Sequence, residues 1–117
     1  MRAALLAALA ASGMALVAMA QDDADRLAHG REVYERWCAA CHDPGVEHPG
    51  TLALAAKYDG ARPGSLLEWT DLPAETTTLF VRTGVSVMPF FRKTEISDAD
   101  LDALGAYLAR NTPSAAE

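Results

Sequence analysis

The sequence predicts a small all-α domain preceded by a short apolar leader. Apolar residues recur at helical spacing in several short segments, and Pro and Gly clusters separate these segments. No alternating apolar and polar stretch is long enough to predict a strand. The 117 residues allow one domain. Because the predicted helices are short and the loops long, such a domain needs a disulfide, a metal or a cofactor to stabilise it.

The first twenty residues have the pattern of a secretory signal. Arg2 supplies one positive charge, residues 3–17 are mostly apolar, and residues 18–20 (Ala-Met-Ala) form a small-x-small cleavage site. The apolar run is shorter than the roughly 20 residues of a membrane-spanning helix, although a retained anchor is the alternative. We expect residues 1–20 to be cleaved and residues 21–117 to form a periplasmic domain with no membrane attachment.

Apolar spacing and helix-boundary residues predict four helices in the domain. Pro73 lies at the start of the third helix, and Ser97 with Asp100 has the capping-box pattern at the start of the last. Pro and Gly clusters predict loops over residues 41–50 and 61–69. The predicted helices are residues 24–38, residues 52–58 ending near Gly60, a helix from residues 71–73 to Gly84, and a helix after Ser97 with the buried stripe Leu101, Leu104, Tyr107 and Leu108.

Charge and cysteine content exclude two classes of protein. Ten Lys and Arg residues against 16 Asp and Glu residues give a formal net charge of −6. The chain has no basic run, so we expect no nucleic-acid partner. Only two cysteines are present, three positions apart, which excludes a disulfide-rich scaffold.

The segment Cys38-Ala39-Ala40-Cys41-His42 carries the chemistry. Two thiols at this spacing near a helix end can form thioethers with the two vinyl groups of one haem. The adjacent histidine can then bind the iron through a ring nitrogen. The motif therefore predicts one covalent haem c, attached at Cys38 and Cys41 and with His42 as an axial ligand of the iron.

Three other interpretations of the cysteine pair remain open. A disulfide between Cys38 and Cys41 would close a very small loop and stabilise little. A zinc site would need further ligands, which His29 and His48 do not supply at a usual spacing. A thioredoxin-like redox pair, which the preceding Trp37 favours, requires βαβ units, and the sequence predicts no strand. A periplasmic thiol–disulfide protein is therefore the least favoured functional alternative.

Two further sequence patterns lie outside the Cys38–His42 motif. The first and last predicted helices carry Gly30-x-x-x-Tyr34 and Leu104-x-x-Tyr107, and residues 81–91 read Val-Arg-Thr-Gly-Val-Ser-Val-Met-Pro-Phe-Phe. With these patterns the chain resembles class I c-type cytochromes over almost all of the region after the leader. The resemblance implies a small, all-α class I cytochrome c-like domain in which the first and last helices cross and a covalent haem occupies the core.

Met88 is the candidate for the second axial ligand. It is the only methionine after the leader, and it lies in the segment that resembles the methionine-ligand loop of the family. A His/Met pair raises the reduction potential of a haem relative to two nitrogen ligands. The alternatives are a methionine that only fills apolar space and His48 as the rival ligand.

The resemblance also implies supporting residues around the haem. A ligating histidine donates its second ring N–H to a carbonyl, for which Pro49 is the candidate and Gly50 the alternative. The haem propionates need hydrogen-bond donors and positive charge. The candidates are Tyr58, Arg62, Trp69 and Arg82, with ordinary surface or packing roles as the alternative, and the expected apolar pocket and core residues are Leu52, Leu66, Leu67, Leu79, Phe80 and Phe91.

The expected function is one-electron transfer, with no catalytic residues. The nearest likeness is to the small cytochrome subunits of p-cresol methylhydroxylase-type flavocytochromes. It implies a FAD-dependent dehydrogenase or hydroxylase as electron donor and a downstream redox protein as acceptor. Val87 and Phe90 would then form an apolar docking patch near the haem edge. The alternative from another class is a haem enzyme or gas sensor, in which Met88 does not bind the iron and the sixth site is open.

Overall fold

The computed structural model describes the backbone of residues 2–113 and the side chains of residues 14–113. Within this part, the only bridge of β type joins two residues of one turn, Val85 and Met88, so the predicted all-α class is confirmed. The helices are α1 (Arg2–Trp37), α2 (Ala39–His42), α3 (Pro49–Tyr58), α4 (Ala74–Thr83) and α5 (Asp98–Ala109), with a short 3-10 helix at Leu66–Glu68.

The predicted leader, residues 1–20, lies largely outside the residues whose side chains are described. The candidate cleavage site at residues 18–20 is within α1, and cleavage stays a prediction. Among the residues that the structure describes, no helix is long and apolar enough to cross a membrane.

Helices α1 and α5 cross at the positions that the resemblance indicates. A Cβ atom on Gly30 would lie only 2.1 Å from the Ala103 carbonyl oxygen. Only glycine, which has no Cβ atom, therefore lets the two backbones come this close. Next to this contact, the rings of Tyr34 and Tyr107 pack with their centroids 5.9 Å apart. The predicted crossing of the first and last helices is therefore confirmed.

Polar pairs flank the crossing. The Arg26 guanidinium donates two hydrogen bonds of 2.8 Å to the Asp102 carboxylate, and His29 Nε2 lies 2.7 Å from Asp100 Oδ1. Asp100 also completes the predicted capping box, because the Ser97 side chain and backbone exchange hydrogen bonds with it. These contacts set the position of the start of α5 against α1.

The hydrophobic core lies between α1, α4, α5 and the segment that precedes α4. Burial of apolar surface in this cluster is the main favourable contribution to folding. Its buried members are Val33, Tyr34, Trp69, Leu72, Val81, Ile96, Leu101, Leu104 and Leu108.

The loop predicted over residues 41–50 is wrong at both ends. Residues 41 and 42 belong to α2, and α3 begins at Pro49 rather than at residue 52. Proline suits the first position of a helix because its φ is already helical and its missing N–H would have no partner there. The link between the motif and α3 is therefore only six residues long, residues 43–48.

Candidate functional site

Cys38, Cys41 and His42 lie in one helical turn that continues from α1. The Cys38 N–H donates to the Tyr34 carbonyl at 2.8 Å. The Cys38 carbonyl in turn accepts the N–H of Cys41 at 3.0 Å and that of His42 at 2.9 Å. Because residues three and four apart share a helix face, both thiols and the imidazole extend from the same side of this turn.

The His42 ring is half-buried and packs against the first turn of α3. A Cβ atom on Gly50 would lie 2.7 Å from His42 Cε1 and 2.9 Å from Nδ1, so only glycine leaves room for the ring. Burial lowers the pKa of His42, which favours the neutral imidazole. The neutral form is the one that binds a metal ion.

The predicted hydrogen bond from His42 to the Pro49 carbonyl is not formed. His42 Nδ1 is enclosed and has no hydrogen-bond partner among the described residues. Pro49 is the first residue of α3, so its carbonyl points along the helix axis to later residues of the same helix. Since Nδ1 is the enclosed nitrogen, Nε2 is the ring nitrogen available to a ligand.

Met88 lies in a tight turn after α4. Its N–H donates to the Val85 carbonyl at 2.9 Å, and the Val85 N–H donates to the Met88 carbonyl at 3.1 Å. Ser86 in the turn has a positive φ of 54°, and Gly84 before it has a φ of 69°. A Cβ atom on Gly84 would lie 2.8 Å from the Met88 carbonyl oxygen. The half-buried Met88 side chain packs against the core at this position.

Arg82 already has two partners in the protein. Its Nη1 donates to the Phe91 carbonyl at 3.1 Å, and its Nη2 donates to Asp98 Oδ1 at 2.9 Å. Lys93 binds the other oxygen of Asp98 at 2.7 Å, and the bonds from Lys93 and then Arg82 hold the pKa of Asp98 below its ordinary value. These contacts hold Arg82 within the protein, and its predicted role in binding a propionate stays a prediction.

Tyr58 and Trp69 pack together on the α3 side of the core. Their rings meet edge to face at 5.6 Å, and the Arg62 guanidinium lies over both, 4.7 Å from the Trp69 ring. The Trp69 indole N–H donates to the Pro63 carbonyl at 2.8 Å, so this donor is not free for a propionate. Arg62 also pairs with Asp71. The structure thus brings three of the predicted residues together but gives Trp69 a packing role.

The other two histidines have partners in the described part of the chain. His48 Nδ1 lies 3.1 Å from the Ala40 carbonyl oxygen, and His29 Nε2 lies 2.7 Å from Asp100 Oδ1. The His48 side chain therefore contacts the backbone of the motif. These contacts favour a structural role for both residues over iron ligation.

The thiols do not have the environment of a redox pair. Burial, and then the neighbouring Cys41, raises the pKa of the Cys38 thiol to about 12. A thiol–disulfide oxidoreductase needs a nucleophilic cysteine with a lowered pKa, because the thiolate is the reactive form. The raised pKa of the half-buried Cys38 therefore argues against the thiol–disulfide alternative.

Exposed apolar side chains on α3 and α4 suit an apolar prosthetic group. Leu52 on α3 and Leu79 on α4 are 52% and 55% exposed, and both were predicted to line a haem pocket. A neutral imidazole and the soft thioether of Met88 form a suitable ligand set for haem iron. The chain therefore supplies two attachment thiols, two ligand types and uncovered apolar walls.

A protein-family comparison agrees with this site. The family model described as cytochrome c oxidase, cbb3-type, subunit III matches residues 25–108, which include the motif and Met88. The chain belongs to this family of cytochrome c domains. Comparisons with curated proteins and with solved structures gave no match.

Membership of this cytochrome family establishes the general function and the cofactor. A cytochrome c domain carries haem c and transfers electrons, which fits an electron carrier. The match supports the resemblance to class I c-type cytochromes. It gives no support to the more specific likeness to p-cresol methylhydroxylase-type subunits, which stays a prediction.

Sequence reasoning missed part of this site. It placed Gly84 at the end of a helix and within the methionine-ligand loop but did not predict its close approach to the Met88 carbonyl, and it gave Asp98 no role. The signal for Gly84 was its place four residues before the only methionine after the leader. No sequence signal connects Asp98 with Arg82, because that contact depends on how α5 packs against α4.

Proposed function

We propose that this chain is an exported one-electron carrier that holds a single haem c between His42 and Met88. The observation that supports it most is the single helical turn that presents Cys38, Cys41 and His42 on one face, within the matched cytochrome c region. Two cysteines suffice for one covalent haem.

The chain's own residues act by positioning the two ligands. Gly50 leaves room for the His42 ring, whose enclosed Nδ1 restricts its orientation. The turn from Gly84 to Met88 places the thioether against the core. Bound haem supplies a one-electron iron couple, and no acid, base or nucleophile is required of the protein.

Optical spectra of the loaded protein test the carrier proposal. The full-length chain, expressed with a cytochrome maturation system, should retain haem through acid–acetone extraction and show the far-red ferric band of a Met–iron bond. Met88→Ala should lose this band and keep the haem, while the control His48→Ala should keep both. Covalent haem without the band in the unsubstituted protein would favour an enzyme or sensor with an open sixth site. Absence of haem would favour the dithiol alternative.

For the electron donor we propose a FAD-dependent dehydrogenase or hydroxylase, with a second redox protein as acceptor. The support is the sequence resemblance, together with the exposed apolar side chains of Val87 and Phe90, which are 95% and 58% exposed beside Met88. A few side chains packed at the centre of a contact surface contribute most of the binding free energy. They can thus bring a partner close to the haem.

The donor proposal is tested with the flavoprotein subunit of p-cresol methylhydroxylase, reduced by p-cresol. We expect it to reduce the cytochrome, and Phe90→Ala to slow this reaction about tenfold without changing the haem spectrum. The control Val46→Ala removes a side chain that is 80% exposed on another loop and should leave the rate unchanged. If the unsubstituted cytochrome is not reduced, the flavoprotein assignment fails and the carrier proposal stands.

The periplasmic location is proposed from the leader pattern in residues 1–20. The mass of the mature protein tests it. A chain beginning at Gln21 in the periplasmic fraction is expected, and a full-length chain in the membrane fraction would show that the leader is an anchor.

A further inference from the structure

We propose that Arg82 is a positioning residue for Met88, holding the end of the methionine segment, residues 84–91, against α5. The inference rests on the proposed function, because it takes Met88 as the axial ligand. Its basis is the pair of contacts that Arg82 makes, to the Phe91 carbonyl and to Asp98.

The methionine segment is held to α4 at its far end by two adjacent residues. The Phe91 N–H donates to the Val81 carbonyl at 2.7 Å, and the Phe91 carbonyl accepts Arg82 Nη1 at 3.1 Å. Both backbone groups of Phe91 are therefore bonded to consecutive residues of α4. We call these two hydrogen bonds the Phe91 anchor. Met88 lies three residues before Phe91, so its distance from the core depends on both bonds being kept.

Asp98 connects the Phe91 anchor to the rest of the domain. It is the first residue of α5, the helix that crosses α1, and α1 continues into the turn that carries His42. Arg82 thus joins the Met88 side of the site to the helix pair that carries the motif. A contact of this kind limits movement of Met88 away from His42.

Arginine has the shape that these two contacts require. Its planar guanidinium donates from two nitrogens in a fixed fork, whereas a lysine ammonium is a point charge on a flexible chain. The Arg82 side chain is only 21% exposed and its hydrogen bond to the Phe91 carbonyl is partly buried, whereas Asp98 is 66% exposed. Solvent therefore weakens the ion pair more than the bond to Phe91. The adjacent Lys93, 71% exposed, binds only the outer oxygen of Asp98 and does not reach Phe91 in this structure.

Competition by added imidazole tests the proposal in the loaded ferric protein. Imidazole has to displace Met88, so a loosened methionine segment binds it more tightly. We expect Arg82→Met to bind imidazole about tenfold more tightly and to show a weaker far-red band, because it loses two hydrogen bonds of a charged group. Arg82→Lys should fall between this variant and the unsubstituted protein. The control Arg31→Met removes an exposed arginine that pairs with Glu35 on α1, and it should change neither property.

Urea unfolding of the same variants separates positioning from general stability. If Arg82→Met lowers the unfolding midpoint but leaves the imidazole affinity of the native protein unchanged, the positioning role is overturned. If Arg82→Met fails to accumulate, Asp98→Asn carries the test, and it should raise imidazole affinity in the same direction by a smaller factor. An unchanged affinity in Asp98→Asn would then overturn the proposal. Absence of the far-red band in the unsubstituted protein would instead refute Met88 ligation itself.

Discussion

The two candidate iron ligands are held by different kinds of structure. His42 extends from a helical turn whose hydrogen bonds join residues three and four apart, and this turn continues directly from α1. Met88 lies in a turn that its own hydrogen bonds with Val85 close, but the position of this turn depends on contacts with α4 and, through Arg82, with α5. The first arrangement is local in sequence and the second is not. We therefore expect the methionine side to open at a lower free-energy cost than the histidine side.

The largest effect is expected where both sides share a support, at the crossing of α1 and α5. Gly30→Ala would place a Cβ atom 2.1 Å from the Ala103 carbonyl oxygen, so the helices must separate. We expect a loss of about 3 kcal/mol in the free energy of unfolding, measured by urea titration. The far-red band that reports Met88 and the ferric Soret band that reports His42 should both change. At an exposed helix position this substitution normally stabilises, so an increase in stability would show that the helices do not cross this closely. Arg31→Ala on the exposed face serves as the control.

On the histidine side, Gly50→Ala is the next most disruptive change. Its Cβ atom would lie 2.7 Å from both His42 Cε1 and the Cys41 carbonyl oxygen. We expect a loss of about 2 kcal/mol and an altered ferric Soret band, since the ring must shift away from α3. Ala56→Ser, on an exposed position of the same helix, should leave the spectrum unchanged. A normal Soret band in Gly50→Ala would contradict the close packing of Gly50 against the ring.

On the methionine side, Gly84→Ala should affect Met88 alone. Its φ is 69°, and a Cβ atom there would lie 2.8 Å from the Met88 carbonyl oxygen. We expect loss of the far-red band with retention of covalent haem, and a stability cost of about 1–2 kcal/mol. Gly60→Ala is a matched control, because Gly60 also has a positive φ of 82° but a Cβ atom there would contact nothing within 4 Å. Equal spectral effects of the two substitutions would show that backbone strain, and not contact with Met88, is responsible.

The smallest effect is expected at the start of α5, away from both ligands. Hydrogen bonds from Ser97, and then from His29, hold the pKa of Asp100 below its ordinary value. The charged carboxylate is thus favoured in the folded protein, and its contribution is present above the ordinary pKa of about 3.9 and lost as the pH falls through the lowered value. Asp100→Asn should lower the Tm by about 2–4 °C at pH 6, less at pH 3, with an unchanged far-red band. A Tm difference that does not depend on pH would argue against the charge of Asp100 as the cause.

Features that depend on neighbouring residues were predicted well. The capping box at Ser97 and the helix end at Gly84 both follow from residues within four positions of one another. Hydrogen bonds of helices and caps span this distance, so the sequence alone specifies them. The start of α3 was missed because Pro49 was taken as a loop residue, although proline is equally common at a first helical position.

The partners of the charged and aromatic side chains could not be predicted in this way. Arg82 and Trp69 were predicted to bind a propionate, which stays a prediction. The structure adds partners that the sequence did not indicate: Asp98 and the Phe91 carbonyl for Arg82, and the Pro63 carbonyl for Trp69. Arg82 and Asp98 are 16 positions apart, and they meet only because α4 and α5 pack side by side.

Local sequence therefore decides which residues can attach and bind the iron, because those groups lie in one helical turn or one tight turn. How firmly Met88 is held depends on helix packing, which brings Arg82 to Asp98 across two elements. The packing of α3 against α2 likewise places Gly50 against the His42 ring. Such contacts are set by the shape and burial of the whole core, and no short segment of the sequence encodes them.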